Sequence, residues 1–519
     1  MSNGGSPLER LIPPGSLLAC FNVVTASAIG TGVLTLPWAI KESGLGLGLI
    51  LVVCAALVAN ISLNILMMAA CKTRSRSYAD LLAWCIGPLA GPLIDFLIFF
   101  ETLVSISCYF IFLGDFSSEL LMLFDVPAWL KEKSNLVLLS LVIIAPLCLP
   151  SKLSYLRYTS TVSLVGLFWT TVVVVTKTPS LYRQRTGQAS GIGGNGEAGE
   201  HSIQWMVLSP DCLKTASIGV FAFFCHFNIV PAARELKNPT TNRMLALTTT
   251  SSIFLVVFFS LLASCGYLSW LDDLQEDFLA NYPPEDPLVI VSRVLLTATM
   301  VCMVPVREKT PRTELLSCFP QLMVHPMLSS LTALAQWNTT RSDDKRTHDR
   351  LLPAGTGSDV QASSYGTADE TSSSFCEGRR DDDPESGRTR RYAQRGEKDA
   401  QVPPAVGGSA EPGKAKRNGV LKVGGLPFRV GVVAVILTTN VLVALYWPDV
   451  ANLIALIGGT FDTLFVVTFP AVIYYCVLAD SHSRPVRCFV IGFLLLFTLV
   501  CFVSAVLVLC ETFLSLRQH

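Results

Sequence analysis

Eleven stretches of this chain are apolar over roughly the 20 residues that a helix needs to cross a bilayer. They fall at residues 17–40, 45–70, 92–121, 135–150, 158–177, 213–234, 244–270, 287–306, 428–446, 451–478 and 487–512. In hydrocarbon every backbone N–H and C=O must find an internal partner, so the expected class is an all-α integral membrane protein of eleven transmembrane helices. Composition agrees: 51% of residues are hydrophobic, 15% are charged and mean hydropathy is +0.50, against about 25% charged in soluble domains. The fourth stretch is the shortest and carries Pro146 and Pro150. Residues 1–16 lack a charged segment, a short apolar run and a small-residue cleavage site in that order, so no signal peptide is expected there.

The first stretch contains Gly30-Thr31-Gly32 at about mid-depth. Glycine weakens a helix through backbone entropy, and a threonine hydroxyl competes for backbone groups. A helix broken inside a membrane survives only where it is buried in protein or lines a wet cavity, and such breaks form the midplane sites of many secondary transporters. The plainer reading is a small-residue packing face.

Net charge is zero, so global charge points to no nucleic-acid partner. Local charge is more informative. Lys72, Arg74, Arg76, Lys152, Arg157, Arg234, Lys237, Arg243, Arg484 and Arg487 all flank spans on one side. The connector between spans seven and eight carries Asp272, Asp273, Glu276, Asp277, Glu285 and Asp286. Because Lys and Arg favour the cytoplasmic side, the amino terminus is expected in the cytoplasm. Lys131, Lys133, Arg183 and Arg185 on the other side weaken the bias without reversing it.

The resulting organisation is a cytoplasmic tail (1–16), spans one to eight (17–306), a polar connector (307–424), spans nine to eleven (425–512) and a short tail (513–519). The 307–424 connector is rich in Ser, Gly, Asp, Arg and Pro without apolar periodicity, the composition of a disordered segment. Its Asn338-Thr339-Thr340 fits a glycosylation acceptor, but the expected topology leaves it in the cytoplasm. Gly191 to Gly196 matches G-x-G-x-x-G, yet it lies in a polar loop rather than between a strand and a helix, so no dinucleotide site is expected. The 16 cysteines form no CxxC pair or Cys/His cluster, which fits small packing residues and no metal site. No nucleophile elbow, zinc-binding helix or P-loop is present. Neither an enzyme nor a cofactor is expected.

The sixth stretch carries Phe221-Ala222-Phe223-Phe224-Cys225-His226-Phe227-Asn228-Ile229-Val230-Pro231, then Glu235-Leu236-Lys237-Asn238-Pro239 and Arg243-Met244. Together with Gly30-Thr31-Gly32-Val33-Leu34, Leu36-Pro37-Trp38-Ala39 and Gly44 it resembles the amino acid/auxin permease family, particularly its sodium-coupled neutral amino acid transporter branch. Tyr109, Gly114-Asp115, Val304-Pro305-Val306, Arg312, Trp447-Pro448-Asp449, Ile457-Gly458-Gly459 and Pro470 follow in family order. The resemblance covers nearly the whole chain outside the two polar connectors. It implies a LeuT-like five-plus-five inverted repeat with an extra C-terminal helix. It also implies an amino acid substrate bound by Thr25, Ile29, Gly30, Thr31 and Gly32 in span one and by Phe221, Phe223 and Cys225 in span six. The N–H groups of the first break would face the substrate carboxylate, and carbonyls of the second would face its ammonium.

Sodium-coupled relatives hold sodium partly through an Asn before the glycine pair and a Thr before the span-eight Val-Pro. Ala26 and Met303 stand at the nearest positions here, and neither offers a side-chain oxygen; backbone carbonyls, Thr297 or Thr299 are the remaining oxygen donors. Glu101 and Asp462 place carboxyls inside spans, where an ionisable group is by default functional, and a carboxyl that binds and releases a proton suits a proton carrier. The structural alternatives for the two are a neutral, hydrogen-bonded carboxyl or a pair with Arg293. His226 is a third candidate, since imidazole ordinarily titrates near neutrality, although beside Pro231 it also suits a role in fixing helix geometry. The expected function is therefore an amino acid transporter, proton-coupled or uncoupled before sodium-coupled, in the plasma membrane or a lysosome-like organelle with lipid around it. A nutrient-sensing receptor that signals through 307–424 is the alternative.

Overall fold

The computed structural model describes residues 15–303, except 76, 88–89, 149–158 and 189–201, and residues 426–518, except 448. Residues 1–14, the 307–424 connector, the Gly191–Gly196 motif, Val304-Pro305-Val306 and Arg312 lie outside the described residues.

All regular structure among the described residues is helical. The first span is two helices, α1 (Leu17–Ala28) and α2 (Gly32–Ser43), bent by 58° at the break between them. Ser16 caps α1, its hydroxyl accepting from Ala19 N–H at 3.2 Å. The helices α3 (Leu45–Thr73), α4 (Tyr78–Ile86), α5 (Ala90–Leu121), α6 (Lys133–Cys148) and α7 (Thr159–Gln188) follow. The sixth span is split into α8 (Cys212–Ala222) and α9 (His226–Glu235). After it come α10 (Thr241–Trp270), α11 (Pro287–Met303), α12 (Leu426–Tyr446) and α13 (Val450–Ile457). The tenth span then continues through π-helical turns at Gly458–Asp462, Leu464–Thr468 and Tyr474–Leu478, interrupted by α14 (Phe469–Ile473), and α15 (Arg484–Gln518) closes the chain.

Helices lie in the eleven apolar stretches as far as the described residues reach, without confirming eleven crossings. Seven are long and apolar enough to cross a membrane, or eight when the bent pair counts as one, and three are shorter: Lys133–Leu147, Pro287–Cys302 and Val433–Tyr446. One boundary differs markedly from expectation. The fifth span, α7, runs on to Gln188, past the expected end at 177, where Lys177 and Arg185 find partners in the acidic connector between spans seven and eight: Lys177 pairs with Asp286 and Arg185 with Asp273. Arg185 also lies 4.4 Å from the centre of the Trp270 ring. Arg185, one of the basic charges that weakened the topology signal, is thus neutralised locally.

Cys212–Glu235 sits at the centre of the bundle, 83% buried, whereas Arg484–Leu514 is 33% buried at its edge. Bilayer tails are as apolar as leucine, so helices associate through close packing rather than hydrophobic burial. The contact at Gly458 shows how close: a Cβ there would lie 2.0 Å from the Ser217 carbonyl oxygen. Any side chain at that position would push α8 away from the tenth span.

Arg293 on α11 is 1% exposed and serves the connector above it. Its Nη2 donates to the carbonyls of Leu279 and Tyr282, both at 3.0 Å, and pairs with Glu119 at 2.8 Å. The Arg293 pairing considered for Glu101 and Asp462 is therefore replaced by one with Glu119. Arg293→Gln strands a carboxylate and two carbonyls and is expected to destabilise the fold by about 3 kcal/mol. A clear drop in melting temperature of the detergent-solubilised protein checks this; an unchanged transition would contradict it.

Candidate functional site

The break in span one follows from its glycines and ends in tight packing. Ile29 leaves the helix with extended backbone (φ −81°, ψ 98°), and α2 restarts at Gly32. A Cβ on Gly32 would lie 2.5 Å from Phe221 Cδ1 and 3.0 Å from Ala222 Cα, so only glycine fits against span six. A Cβ on Gly30 would meet only the Tyr109 hydroxyl, at 3.2 Å. The Thr31 hydroxyl is buried without a hydrogen-bond partner, while Thr25 donates to the Phe21 carbonyl at 2.7 Å.

In span six the helical ladder fails between Ala222 and His226. Phe224 N–H reaches back only to Phe221 O at 3.1 Å, and Asn228 N–H only to Cys225 O at 3.1 Å. Phe223 packs on Phe259 with ring centres 5.1 Å apart, and Cys225 is buried. The two breaks therefore meet, because Gly32 at the start of α2 touches Phe221 and Ala222 at the end of α8.

Beside this junction lies a cavity of about 20 Å³, lined by Ile29, Gly30 and Leu34 of span one, Tyr109 of α5, Ser163 and Leu167 of α7, and Leu296, Thr299 and Met300 of α11. That is room for about one water. Of the expected substrate residues, Ile29 and Gly30 line it; Thr31, Gly32 and Phe221 flank the junction, Thr25 and Phe223 make the separate contacts above, and Cys225 is buried. Ser163, Leu167, Leu296 and Met300 carried no signal in the sequence, since a residue on an apolar helix does not reveal which neighbour it faces.

The oxygen inventory for a cation is thin. Ala26 is buried and apolar. Thr299 donates to the Leu295 carbonyl at 2.8 Å, and the Thr297 hydroxyl is buried without a partner.

The intramembrane carboxyls differ from each other. Glu101 accepts from the hydroxyls of Ser105 at 2.9 Å and Thr102 at 3.0 Å. Asp462, on the first π-helical turn of span ten, is fully buried and neither carboxyl oxygen has a hydrogen-bond partner. The two carboxyls lie near enough to interact electrostatically. Local π-helix is frequent at functional sites. His226 is fully buried at the start of α9, its Nε2 2.6 Å from the Ser62 hydroxyl. Ser62 is also placed to donate to the Ala59 carbonyl at 2.9 Å. With that donation made, Nε2 carries the proton toward Ser62, and Nδ1 is an acceptor without a partner. This contact ties α9 to α3, and His226 is not among the residues lining the cavity.

Membrane-length helices, two of them broken where they touch, define a multi-pass membrane protein. The chain belongs to the family described as transmembrane amino acid transporter protein, whose model matches residues 14–513. A Toxoplasma gondii protein named for amino acid transport is 29% identical over 340 residues, which are 65% of this chain and 45% of that one. The sodium-coupled neutral amino acid transporter 7 of Danio rerio is 26% identical over 302 residues, 56% of this chain and 62% of that one. The chain thus spans less than two thirds of the length of either relative. Among solved structures, a nucleobase-cation-symport-1 family transporter in a closed conformation, with bromovinylhydantoin bound, covers 98% of this chain and 94% of its own at 10% identity. Its TM-score of 0.42 marks a likeness too loose to carry an argument.

Proposed function

We propose that the protein is a secondary active transporter that moves amino acids by alternating access, coupled to protons or uncoupled. The observation that carries this reading is the junction of the two breaks, with Gly32 against Phe221 and Ala222 and a cavity at Ile29 and Gly30. Broken helices free backbone N–H and C=O groups in the bundle interior, where they can hold a zwitterion. The substrate carboxylate is assigned to Gly30, Thr31 and Gly32, with Ile29 and Thr25 shaping that end. Its ammonium is assigned to the Phe221, Phe223 and Cys225 segment. A cavity of about 20 Å³ is far below the several hundred Å³ of a small-molecule pocket, so this conformation is closed around the site, and transport requires the flanking helices to part.

The eleven segments are assigned as eleven spans in a five-plus-five inverted repeat plus a last helix, the amino terminus in the cytoplasm. Glu101 and Asp462 are the proton-carrying pair, with His226 a structural support. Sodium coupling is the second reading. It is favoured by the name of the Danio rerio relative, and Thr297, with its free buried hydroxyl, is the side chain suited to it.

The 307–424 connector is assigned to regulation or tethering rather than to the pathway. Replacing residues 335–420 with a short flexible linker is expected to leave uptake kinetics within about twofold, because closure entropy varies slowly with loop length. Radiolabelled uptake by correctly localised protein checks this, and complete loss would make the segment part of the gate.

A further inference from the structure

A second and larger cavity, about 510 Å³, opens where α2, α5, α6 and α13 meet the connector before α11, and its wall includes Trp38, Asp115, Glu119, Lys133, Glu276 and Asp277. Four carboxyls face one ammonium. Two of them are matched, Asp115 with Lys133 at 2.5 Å and Glu119 with Arg293 at 2.8 Å. Glu276 accepts only from the Ala451 N–H, at 3.1 Å. Asp277 is 8% exposed, accepts from the Leu279 N–H at 3.0 Å through Oδ1, and leaves Oδ2 without any hydrogen-bond partner. Asp277 lines the cavity, and a buried carboxyl oxygen without a donor is expensive unless something fills the place.

We propose that this vestibule binds the ammonium or guanidinium group of basic amino acids, with the Asp277 carboxyl as anchor and Glu276 and the Trp38 ring as the cationic group's other neighbours. The proposal rests on the transport reading and adds a substrate class to it. The occupant is an organic cation rather than a metal ion, because among the described residues no three acidic, Cys or His side chains converge closely enough to hold a metal. Aromatic rings attract such cations, and Lys133, with three donors, can meet the ligand's carboxylate while keeping Asp115. Trp38 lies six residues beyond Gly32 on the same helix, about 9 Å along its axis, so the vestibule adjoins the path to the junction.

Charge linkage agrees. Burial, reinforced by Asp115 and Glu119 from α5 and opposed by the Leu279 N–H and by Arg293 from α11, pushes the Asp277 carboxyl up to about 8. Lys133 from α6 and neighbouring Glu276 complete the charged wall. A cation stabilises the ionised form, so its binding releases a proton and its affinity increases as pH rises toward that value.

Isothermal titration of the full chain in detergent with L-arginine, its uncharged isostere L-citrulline and L-leucine tests this. Arginine is expected to bind about tenfold or more tightly than citrulline, the scale of one charge-assisted contact, and more tightly at pH 8.5 than at pH 6. Asp277→Asn, which keeps an acceptor for the Leu279 N–H, is expected to bring the two affinities together, and Glu276→Gln to narrow the gap. Equal wild-type affinities, an unchanged ratio in both variants, or displacement of arginine by millimolar calcium would overturn the proposal. Leucine binding without an arginine advantage sinks the vestibule alone; no binding of any amino acid sinks the transport reading with it.

Discussion

Gly32→Val is expected to abolish amino acid uptake, because a branched side chain at this position has nowhere to go. Phe221 can turn its ring aside, but the Ala222 Cα, 3.0 Å from where a Cβ would stand, is backbone. The α2 and α8 ends must then separate, and the junction proposed to hold the substrate is lost. Gly30→Val distinguishes a lost site from a lost fold. At Gly30 only the Tyr109 hydroxyl lies within reach, 3.2 Å from a Cβ, so that variant is expected to insert and fold while its added methyl groups fill a cavity of about 20 Å³. Substrate affinity is expected to fall by at least about a hundredfold, roughly the 3 kcal/mol at stake when an overpacked site strands the polar partners of its ligand. Binding and uptake measured on monodisperse protein check both variants. Wild-type affinity in each would reduce the glycine pair to a packing device.

The second large effect concerns coupling. Uptake by the wild type is expected to persist when sodium is replaced by an inert cation and to rise by roughly threefold to tenfold per pH unit of acidification on the uptake side, the range open to one titrating group. Asp462→Asn is expected to remove that stimulation while leaving exchange of labelled for unlabelled amino acid intact. The amide has the shape of the protonated acid but no proton to release, and the native carboxyl oxygens make no hydrogen bonds that the change would break. Glu101→Gln is the parallel test. It keeps acceptors for the Ser105 and Thr102 hydroxyls only in part, so a smaller loss of stimulation is expected from it. Acid stimulation undiminished in both variants would move the proton site elsewhere.

The helical membrane architecture was legible in the chain because continuous apolar length is a one-dimensional property. So was the first break, since Gly30 and Gly32 flank a weak point regardless of what surrounds them. The break at Phe223 to Cys225 contains no glycine or proline, and only its family resemblance announced it. The Gly32 contact with Phe221 and Ala222 was not legible, because it depends on how two spans about 190 positions apart in sequence pack. The π-helical turns of span ten were hidden for a different reason: a helix that is apolar on most faces has no periodic stripe from which a change of pitch could be detected. The acidic connector at 272–286 was read as a topology signal alone. That Asp277 folds inward over a cavity with Asp115 and Glu119 emerges only when the connector is seated on α5 and held by Arg293.

The account is tested most directly by uptake into proteoliposomes containing the purified full chain, from a labelled amino acid mixture, with a proton gradient imposed and sodium absent. It predicts accumulation above that of protein-free liposomes, abolished by dissipating the gradient if transport is coupled or reduced to equilibration if it is not. Binding of an amino acid with no flux in either direction would contradict it and leave a sensor with a transporter's fold, and flux that appears only when sodium is restored would contradict the assigned coupling.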